Sequence, residues 1–275
     1  MLRFAKPDDV SALIRLYDDC FPNEHTFALN FFKKVFPREK CVLFDDGKIK
    51  GMLNLVDISI EQGEKLNGLY IFAVGVEEKS RSLGIGSKLI GFAEEYAVSK
   101  KYDFLCLIAE NDGLFDYYAR FGFLKNLFCS KLEFRAVETV EVRDKFTVKA
   151  DTADYLKLSQ KFISKPRILR TVETLETQFS VYGISPAFLS NGKDISAAAF
   201  FEKSGSRLEV YEVLGEKSDA QYLLNLSANR LRCETIRLRA PLGMYKDTPI
   251  GCLKTLSVRA EMLKSSKIYA NLLFN

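Results

Sequence analysis

Two glycines spaced two residues apart mark a segment of the sequence that is suited to binding an anion. The segment Arg81-Ser82-Leu83-Gly84-Ile85-Gly86-Ser87 lies between an apolar stretch and an amphipathic one. Glycine allows the backbone to bend sharply or to approach a ligand closely. The free N–H groups at the start of the following helix, with the positive end of the helix dipole, favour a phosphate or pyrophosphate, and an arginine can pair with its oxygens.

The same glycines also fit a plain strand-to-helix turn in which they serve geometry alone. Two other phosphate-binding motifs fit poorly. Position 89 holds Leu89 where a Rossmann motif has its third glycine, and no Gly-Lys-Ser/Thr follows a glycine at the spacing of a Walker loop. From these residues alone, an anion site and a simple turn both remain open.

The counts of histidine and cysteine exclude several other kinds of site. The chain has one histidine, His25, so a metal site built from several histidines is excluded, and a Ser-His-Asp or Cys-His mechanism would have to use it. A solvated loop position is the simplest prediction for His25, and a position in a binding pocket is the alternative. The six cysteines are never closer than 19 residues apart, so no C-x-x-C pair exists for zinc or redox chemistry. We therefore expect no metal, and thiols that are reduced and mostly buried.

Composition and charge are those of an ordinary globular protein. The 275 residues are 47% hydrophobic and 28% charged, and 40 Lys and Arg against 36 Asp and Glu give a net charge of +4. The charges are interspersed, which argues against a nucleic-acid partner. The first residues have no apolar core of signal-peptide length, and no apolar run is long enough to cross a membrane. We therefore expect a cytoplasmic protein with neither a membrane nor a nucleic-acid partner.

Apolar periodicity places the glycine segment between a strand and a helix. A first helix capped by Asp8 or Asp9 precedes several strands, and the glycine segment itself opens a helix that runs from Leu83 to Val98. The other predicted elements are strands at 41–44, 49–60, 69–76 and 104–109 and a short helix at 114–120. Strands around one central helix predict an α/β or α+β layer architecture.

The second half of the sequence repeats the first at a slowly drifting offset. Five pairs of segments recur in the same order: Asp9 with Asp151, Gly47-Lys48 with Gly192-Lys193, Val74 with Val213, Glu78-Lys79-Ser80 with Glu216-Lys217-Ser218, and Lys101–Leu107 with Arg232–Leu238. We interpret this as a tandem duplication with domains at 1–135 and 136–275. The offset falls by about four residues near the glycine segment, so the second copy lacks that segment.

Together with a second motif, the glycine segment resembles the core of the GNAT acyltransferases. The apolar strand Leu69–Val76 precedes Arg81-x-x-Gly84-x-Gly86, as in that superfamily, and Asn111, Tyr118 and Gly122-Phe123 match its pattern Asn … Tyr-x-x-x-Gly-Phe. The resemblance covers about residues 1–130. A full first copy with a degenerate second copy is similar to tandem GNAT proteins, including relatives of the enhanced-intracellular-survival type. The resemblance implies an α/β (α+β) fold of two tandem GNAT-like domains, each a mixed, mostly antiparallel sheet flanked by helices.

The resemblance also implies a site for acetyl-CoA or another acyl-CoA. In this family the pantetheine lies along the third strand and the pyrophosphate on the glycine turn. Tyr118 stands where the family has its general acid, which protonates the departing thiolate. Tyr117 is the second choice for that acid, and the structural alternative for Tyr118 is an aromatic that packs on the sheet. The cofactor-binding residues so implied are Val74, Gly75, Val76, Arg81, Ser82, Leu83, Gly84, Ile85, Gly86, Ser87, Asn111 and Phe115.

The general base is where this sequence departs from the family. An amine near its ordinary pKa of about 10 must lose a proton before it attacks a thioester. Relatives that use a strand glutamate place it where this chain has Tyr70. Glu110, a water relay and the C-terminal carboxylate of Asn275 all remain open as substitutes.

The function implied is that of an acyl-CoA-dependent N-acetyltransferase. It would transfer an acetyl group to a primary amine of a small molecule or peptide by direct attack in a ternary complex, as a monomer or a homodimer. The absent strand glutamate and the decayed second copy keep a non-catalytic CoA-binding or protein-interaction module as the alternative. The second domain, without the pyrophosphate loop, is expected to bind no CoA. Its Arg237 and Arg239 share one strand face, where they would line a substrate cleft, meet an acidic groove of the first copy or be solvated.

Overall fold

Helices and strands are interspersed along the chain. The computed structural model describes residues 1–36, 39–109, 111–137, 150–190 and 194–270. The helices in these ranges are α1 Val10–Cys20, α2 His25–Lys34, α3 Ile85–Ser99, α4 Asp112–Ala119, α5 Thr152–Phe162, α6 Val172–Tyr182 and α7 Lys217–Leu231. The strands are β1 Leu2–Phe4, β2 Lys40–Asp45, β3 Ile49–Gln62, β4 Glu64–Val76, β5 Phe104–Ile108, β6 Leu124–Arg135, β7 Arg167–Ile168, β8 Ala187–Ser190, β9 Ile195–Ser204, β10 Arg207–Gly215, β11 Thr235–Ala240, β12 Lys246–Thr255 and β13 Ile268–Tyr269. Short 3-10 turns lie at Pro7–Asp9, Glu78–Ser80 and Val258–Ser265.

The chain packs as two compact units that interleave in sequence. Unit 1 contains Met1–Asn126 and Gly251–Ser266, whereas unit 2 contains Leu127–Ile250 and a segment that begins at Lys267. The predicted boundary between residues 135 and 136 cuts the chain only once, so it does not coincide with these units. As a boundary between functional domains it stays a prediction.

Unit 1 is built on a mixed, mostly antiparallel sheet. Strands β1 to β4 are antiparallel to their neighbours, β4 and β5 are parallel, and residues 251–255 of β12 pair antiparallel with β5. A parallel pair needs a crossover connection, which α3 supplies.

Helix α3 packs on one face of this sheet because its apolar residues recur at helical spacing. The helix begins two residues later than the predicted Leu83, because Gly84 before it has a left-handed backbone with a φ of 75°. Its buried side chains, which join one core cluster with residues of β2 to β5, are Ile85, Leu89, Ile90, Ala93 and Ala97.

Unit 2 repeats this arrangement. Strands β8, β9 and β10 are antiparallel neighbours, β10 and β11 are parallel, and β11 pairs antiparallel with β6. Helix α7 forms the crossover between β10 and β11, and its buried residues join the core of the unit with Leu208 and Ile236. The predicted fold class, with a mixed and mostly antiparallel sheet in each copy, is confirmed.

The duplication is visible in the strand register. Residues 68–71 of β4 pair in parallel with 104–107 of β5, and residues 207–210 of β10 pair in parallel with 235–238 of β11. Both parallel ladders are therefore equally long. Equivalent residues of β4 and β10 are 139 positions apart, as are Val74 and Val213. Equivalent residues of β5 and β11 are 131 positions apart, as are Lys101 and Arg232.

The second copy lacks more of the strand-to-helix turn than the sequence suggests. Eight residues, 77–84, separate β4 from α3, whereas only Glu216 separates β10 from α7. The pairing of Glu78-Lys79-Ser80 with Glu216-Lys217-Ser218 is therefore wrong, because the first triplet is a 3-10 turn while Lys217 and Ser218 open α7. Because the turn is missing, the charged triplet that follows β10 lies at the start of α7. Gly192-Lys193, the partner of Gly47-Lys48, lies outside the described residues.

Candidate functional site

The C-terminal end of β4 separates from its parallel neighbour β5. A β-bulge places Ala73 and Val74 opposite the single residue Leu53 of β3, and Ala73 has a positive φ of 50°. The parallel pairing with β5 ends at Ile71, just before the bulge. Residues 74–76, three of the predicted binding residues, therefore have no partner in β5, and we call this unpaired edge of β4 the cleft.

A glycine turn leads from this cleft into α3. Ser82 and Gly84 both have left-handed backbones, with φ of 65° and 75°. Gly84 is the N-cap residue of α3, and no side chain caps the helix there. The first N–H groups of a helix have no intrahelical acceptor, so the amides of Ile85, Gly86 and Ser87 can donate to an anion.

The two glycines of the turn are needed for different reasons. At Gly84 nothing lies within 4 Å of the position of a Cβ, and it is the left-handed φ that favours glycine. At Gly86 a Cβ would lie 2.8 Å from the hydroxyl oxygen of Tyr117, closer than real Cβ atoms come. Gly86 therefore allows α4 to place a hydroxyl against the first turn of α3.

Arg81 is held at the junction of β4 and the turn. Its Nε donates to the carbonyl oxygen of Val76 at 3.2 Å, and Sγ of Cys20 in α1 lies 3.6 Å from the same oxygen. Burial raises the pKa of the Cys20 thiol above its ordinary value, so the thiol stays neutral. The side chains of Arg81, Ser82 and Leu83 are exposed, which leaves the outside of the turn open to a ligand.

Tyr118 is a buried phenol on the side of α4 that faces the core of unit 1. The residue is 6% exposed, and its ring centroid lies 5.2 Å from that of Tyr117 and 6.1 Å from that of Phe123. Its hydroxyl has no hydrogen-bond partner among the described residues. Burial raises the pKa of this phenol, and Tyr117 and Cys252 add to the rise. Tyr118 therefore keeps its proton and can act as a hydrogen-bond donor or an acid.

Asn111 and Phe115 have structural contacts in α4. The Oδ1 atom of Asn111 accepts from the backbone N–H of Leu114 at 3.0 Å, so this side chain caps the helix. Phe115 is 4% exposed in the core, and Nζ of Lys125 lies 4.6 Å from its ring centroid. Both residues position the helix that carries Tyr118, and their predicted contact with the thiol end of a cofactor stays a prediction.

The structure describes only some of the candidate bases. Glu110 and Asn275 lie outside the described residues. Tyr70 is 2% exposed, and its ring centroid lies 6.1 Å from that of Phe72. This part of β4 therefore carries an aromatic core instead of a carboxylate.

The sequence predicts a loop position for His25, but the residue is the first of helix α2. Its Nδ1 lies 2.8 Å from Oδ2 of Asp18 in α1, and the imidazole is exposed to solvent. The loop assignment is wrong because the helix begins directly after the short α1–α2 turn. The exposed state is as predicted.

An aromatic cluster between α1, α2 and β4 was not predicted from the sequence. The ring centroids of Phe31 and Phe72 are 4.9 Å apart, and those of Tyr17 and Phe72 are 6.3 Å apart. Phe27 stacks between Tyr17 and Phe31 at 6.3 Å from each. The signal in the sequence is the density of aromatic residues between positions 17 and 36.

The described part of the chain contains neither a metal cluster nor a membrane-spanning helix. No group of three or more His, Cys, Asp or Glu side chains is arranged there to hold a metal ion. No helix in the same ranges combines the length and the apolar character needed to cross a membrane.

Comparison with known proteins decides the family of the N-terminal part. Residues 1–125 match the family model described as an acetyltransferase (GNAT) domain. Residues 1–125 form a GNAT domain. The predicted recognition is thereby confirmed for the part of the chain that carries the glycine turn and Tyr118. No curated protein matches the sequence.

Solved structures show that the fold of the GNAT proteins extends over nearly the whole chain. A conserved protein of unknown function from Enterococcus faecalis covers 97% of this chain and 74% of its own, with a TM-score of 0.72 at 11% identity. A GCN5-related N-acetyltransferase from Anabaena variabilis covers 94% of this chain and 74% of its own, with a TM-score of 0.68 at 11% identity. Eis1 from Mycobacterium abscessus covers 94% and 75%, with a TM-score of 0.63 at 12% identity. At these identities the likeness concerns the fold.

Proposed function

We propose that this chain is an acyl-CoA-dependent N-acetyltransferase that acts on a primary amine of a small molecule or peptide. One observation carries the proposal. A Cβ at Gly86 would lie only 2.8 Å from the Tyr117 hydroxyl oxygen, so α4 is packed directly on the glycine turn. The neighbouring Tyr118, whose buried phenol has no hydrogen-bond partner among the described residues, is thereby fixed close to a turn that offers amides to a phosphate.

The residues present fit an acyl-CoA. Its pyrophosphate would be held by the amides of residues 84–87 and by the guanidinium of Arg81, which lies on the exposed side of the turn. Its pantetheine arm would follow the cleft beside Val74 and Val76, where β4 is no longer paired with β5. When bound, the acyl-CoA supplies an activated thioester as the acetyl donor.

In this proposal Tyr118 is the general acid. Its phenol keeps its proton because burial raises the pKa, so it can donate to a leaving thiolate and then regain the proton from solvent. A buried donor that is already oriented loses little energy in reorganisation as charge develops. The packing of Tyr117 and Phe123 around the ring supplies that orientation.

The proposal leaves three candidates for the base that deprotonates the amine: Glu110, the terminal carboxylate of Asn275 and a water relay. A Glu110→Gln variant distinguishes Glu110 from the other two, because only a direct role of Glu110 makes the fall in rate greatest at low pH, where fewer acceptor amines are already neutral. Tyr70, which replaces the strand glutamate of some relatives, is buried and aromatic and is not a candidate.

Unit 2 is proposed to bind no CoA. Its strand β10 is followed by Glu216 alone before α7 begins, so no glycine turn exists to present amides to a pyrophosphate. Calorimetry should therefore find one acetyl-CoA per chain. The functional boundary after residue 135 is proposed on the same ground.

Calorimetry of acetyl-CoA binding to the wild type and to Gly84→Glu tests the site. The large side chain in a left-handed position should abolish binding at the turn. Gly183→Glu is the matched control, because Gly183 is also left-handed, with a φ of 70°, and also has nothing within 4 Å of its Cβ position. Equal affinity in the wild type and Gly84→Glu, or equal loss in both variants, would contradict the assignment.

A non-catalytic CoA-binding module is the second candidate, and the aromatic residue at position 70 favours it. A thiol-release assay over a panel of primary amines distinguishes the two. Turnover that depends on an amine supports the enzyme, whereas tight acetyl-CoA binding without thiol release from any amine supports the binding module.

A further inference from the structure

Unit 2 contains a pocket on the face of its sheet opposite to α7. The pocket has a volume of about 380 Å³ and opens where β10 and β11 separate after residues 210 and 238. Pockets that hold small ligands are typically about 300–1,000 Å³. We call it the cationic pocket. The charged residues that line it are Lys131, Glu133, Glu209, Arg237, Arg239 and Lys246.

Strand alternation places these charges on one face. Successive residues of a strand point to opposite sides, and the neighbouring apolar residues Leu208, Val210 and Leu238 join the core beneath α7. Asp247, which follows Lys246, accepts from Ser130 and Gly243 and therefore does not belong to the cationic pocket.

The two acidic residues of the pocket, Glu133 and Glu209, both lie close to Arg237. Glu209 pairs with Arg207 and lies 3.9 Å from Arg237. Glu133 stands directly across the β6–β11 ladder from Arg237. These contacts assign the two carboxylates to the Arg237 end of the pocket.

The other end of the pocket places like charges opposite each other. Lys131 of β6 is the direct cross-strand partner of Arg239 of β11, and Lys246 lines the same end. Like charges at directly opposite positions destabilise an antiparallel pair. Partial desolvation together with Arg239 and Arg237 lowers the pKa of Lys131. A bound anion would remove this repulsion.

Neutral groups complete the lining. The ring of Tyr211 forms one wall, and its hydroxyl donates to Glu202 at 2.5 Å, while Thr248 adds a hydroxyl beside Lys246. Arginine presents a planar set of donors that suits phosphate and carboxylate oxygens, and lysine adds a point charge.

We propose that the cationic pocket of unit 2 binds a small polyanionic ligand of the phosphate or polycarboxylate class through Lys131, Arg239 and Lys246. The site is separate from the proposed acyl-CoA site of unit 1. It gives the second copy, which has lost the glycine turn, a ligand of its own.

Calorimetry with pyrophosphate and, separately, with citrate tests the pocket in the full chain. Saturating CoA is present throughout, so that the glycine turn of unit 1 is occupied. We expect one bound anion per chain, with affinity that falls as salt rises. Lys131→Ala and Arg239→Ala should each weaken it at least about tenfold, a change of about 1.4 kcal/mol. Lys203→Ala, which removes an exposed lysine of β9 outside the pocket, should leave it unchanged.

Lys131→Glu should change stability and anion binding in different directions. The new carboxylate faces Arg239, so the melting temperature should rise or stay constant while pyrophosphate and citrate binding is lost. Binding of pyrophosphate alone indicates a phosphate ligand, and binding of both anions indicates the wider class. The proposal is overturned if neither anion binds, or if Lys203→Ala weakens binding as much as the pocket variants do. If CoA does not bind unit 1, the Lys131→Ala and Arg239→Ala variants still show whether a bound anion occupies the cationic pocket.

Discussion

Two adjacent tyrosines in α4 have different roles at the scale of single residues. The hydroxyl of Tyr117 lies against the Gly86 backbone, whereas the hydroxyl of Tyr118 is buried without a described partner. The Tyr118 phenol is therefore available to donate to a group that enters the cleft. The motif spacing identifies Tyr118, and the packing gives a physical reason for the choice.

The first prediction concerns the acid. Tyr118→Phe keeps the ring and removes the proton, so kcat should fall by about 10²-fold or more while the affinity for acetyl-CoA stays within about threefold. Burial raises the phenol pKa, so the wild-type rate should show no loss of the acid form up to about pH 10, the ordinary value for tyrosine. Steady-state kinetics over pH check both points. A comparable fall in kcat for Tyr117→Phe would contradict the assignment.

The second prediction separates capping from ligand contact at Asn111. Asn111→Ala removes the acceptor for the Leu114 amide and should cost about 1 kcal/mol of unfolding free energy. Asn111→Ser can still cap, so it should restore most of that stability in denaturant titrations. If Asn111 only caps, Asn111→Ser should also restore the acetyl-CoA affinity. Restored stability with affinity still lost would instead show that the amide touches the ligand.

At the scale of elements, the bulge region of β10 carries a buried ion pair. Glu212 is fully buried and accepts two hydrogen bonds from Arg170, at 2.6 and 2.8 Å. Its oxygens also accept from the hydroxyls of Tyr155 at 2.8 Å and Tyr269 at 2.5 Å. One carboxylate therefore joins β10 to α5, to β13 and to the loop after β7.

The third prediction follows from that network. Glu212→Gln leaves the Arg170 charge buried without its counter-ion and should cost about 3–5 kcal/mol of unfolding free energy. Glu202→Gln, at an exposed position on β9, is the control and should change it by less than about 1 kcal/mol. Urea unfolding of the two variants checks this. A loss below about 1 kcal/mol for Glu212→Gln would show that the pair contributes little.

The sequence predicts elements well where local chemistry decides them. The amphipathic repeat of α3, the parallel strands on either side and the second copy are all readable, because apolar spacing and self-similarity are local signals. The sequence comparison fails after β10. There the triplet paired with Glu78-Lys79-Ser80 lies at the start of a helix, whereas Glu78–Ser80 is a 3-10 turn. Short charged segments carry no apolar pattern, so tertiary packing decides their structure.

The site is predictable in part for the same reason. Residues 81–87 and Tyr118 are found from spacing. The bulge at Ala73, the capping role of Asn111 and the contact of Tyr117 with Gly86 depend on strand register and on helix packing. Single-sequence patterns do not encode those relations. The same holds for Lys131 and Arg239, which are 108 residues apart in the sequence and opposite in the sheet.

At the scale of the whole molecule, unit 1 depends on residues near the end of the sequence. Residues 251–255 pair with β5, and Leu253 is 1% exposed in that strand. Removing this segment would turn β5, whose residues Phe104–Leu107 are 0–1% exposed, into an exposed edge strand.

The fourth prediction uses this dependence. A chain of residues 1–135 lacks the partner strand of β5, so it should bind acetyl-CoA at least about tenfold more weakly than the full chain, or fail to fold. Attaching residues 251–266 to residue 126 through a long Gly/Ser linker should restore both folding and affinity. Circular dichroism and calorimetry check the two chains. Full affinity in the 1–135 chain would instead support the predicted boundary as the edge of an independent domain.

The position of residues 251–255 also affects synthesis on the ribosome. The strand that completes unit 1 is translated after more than a hundred residues of unit 2. At about 5–20 residues per second, unit 1 waits on the order of ten seconds with β5 unpaired. During this interval the nascent chain presents an apolar edge strand to chaperones and to other nascent chains.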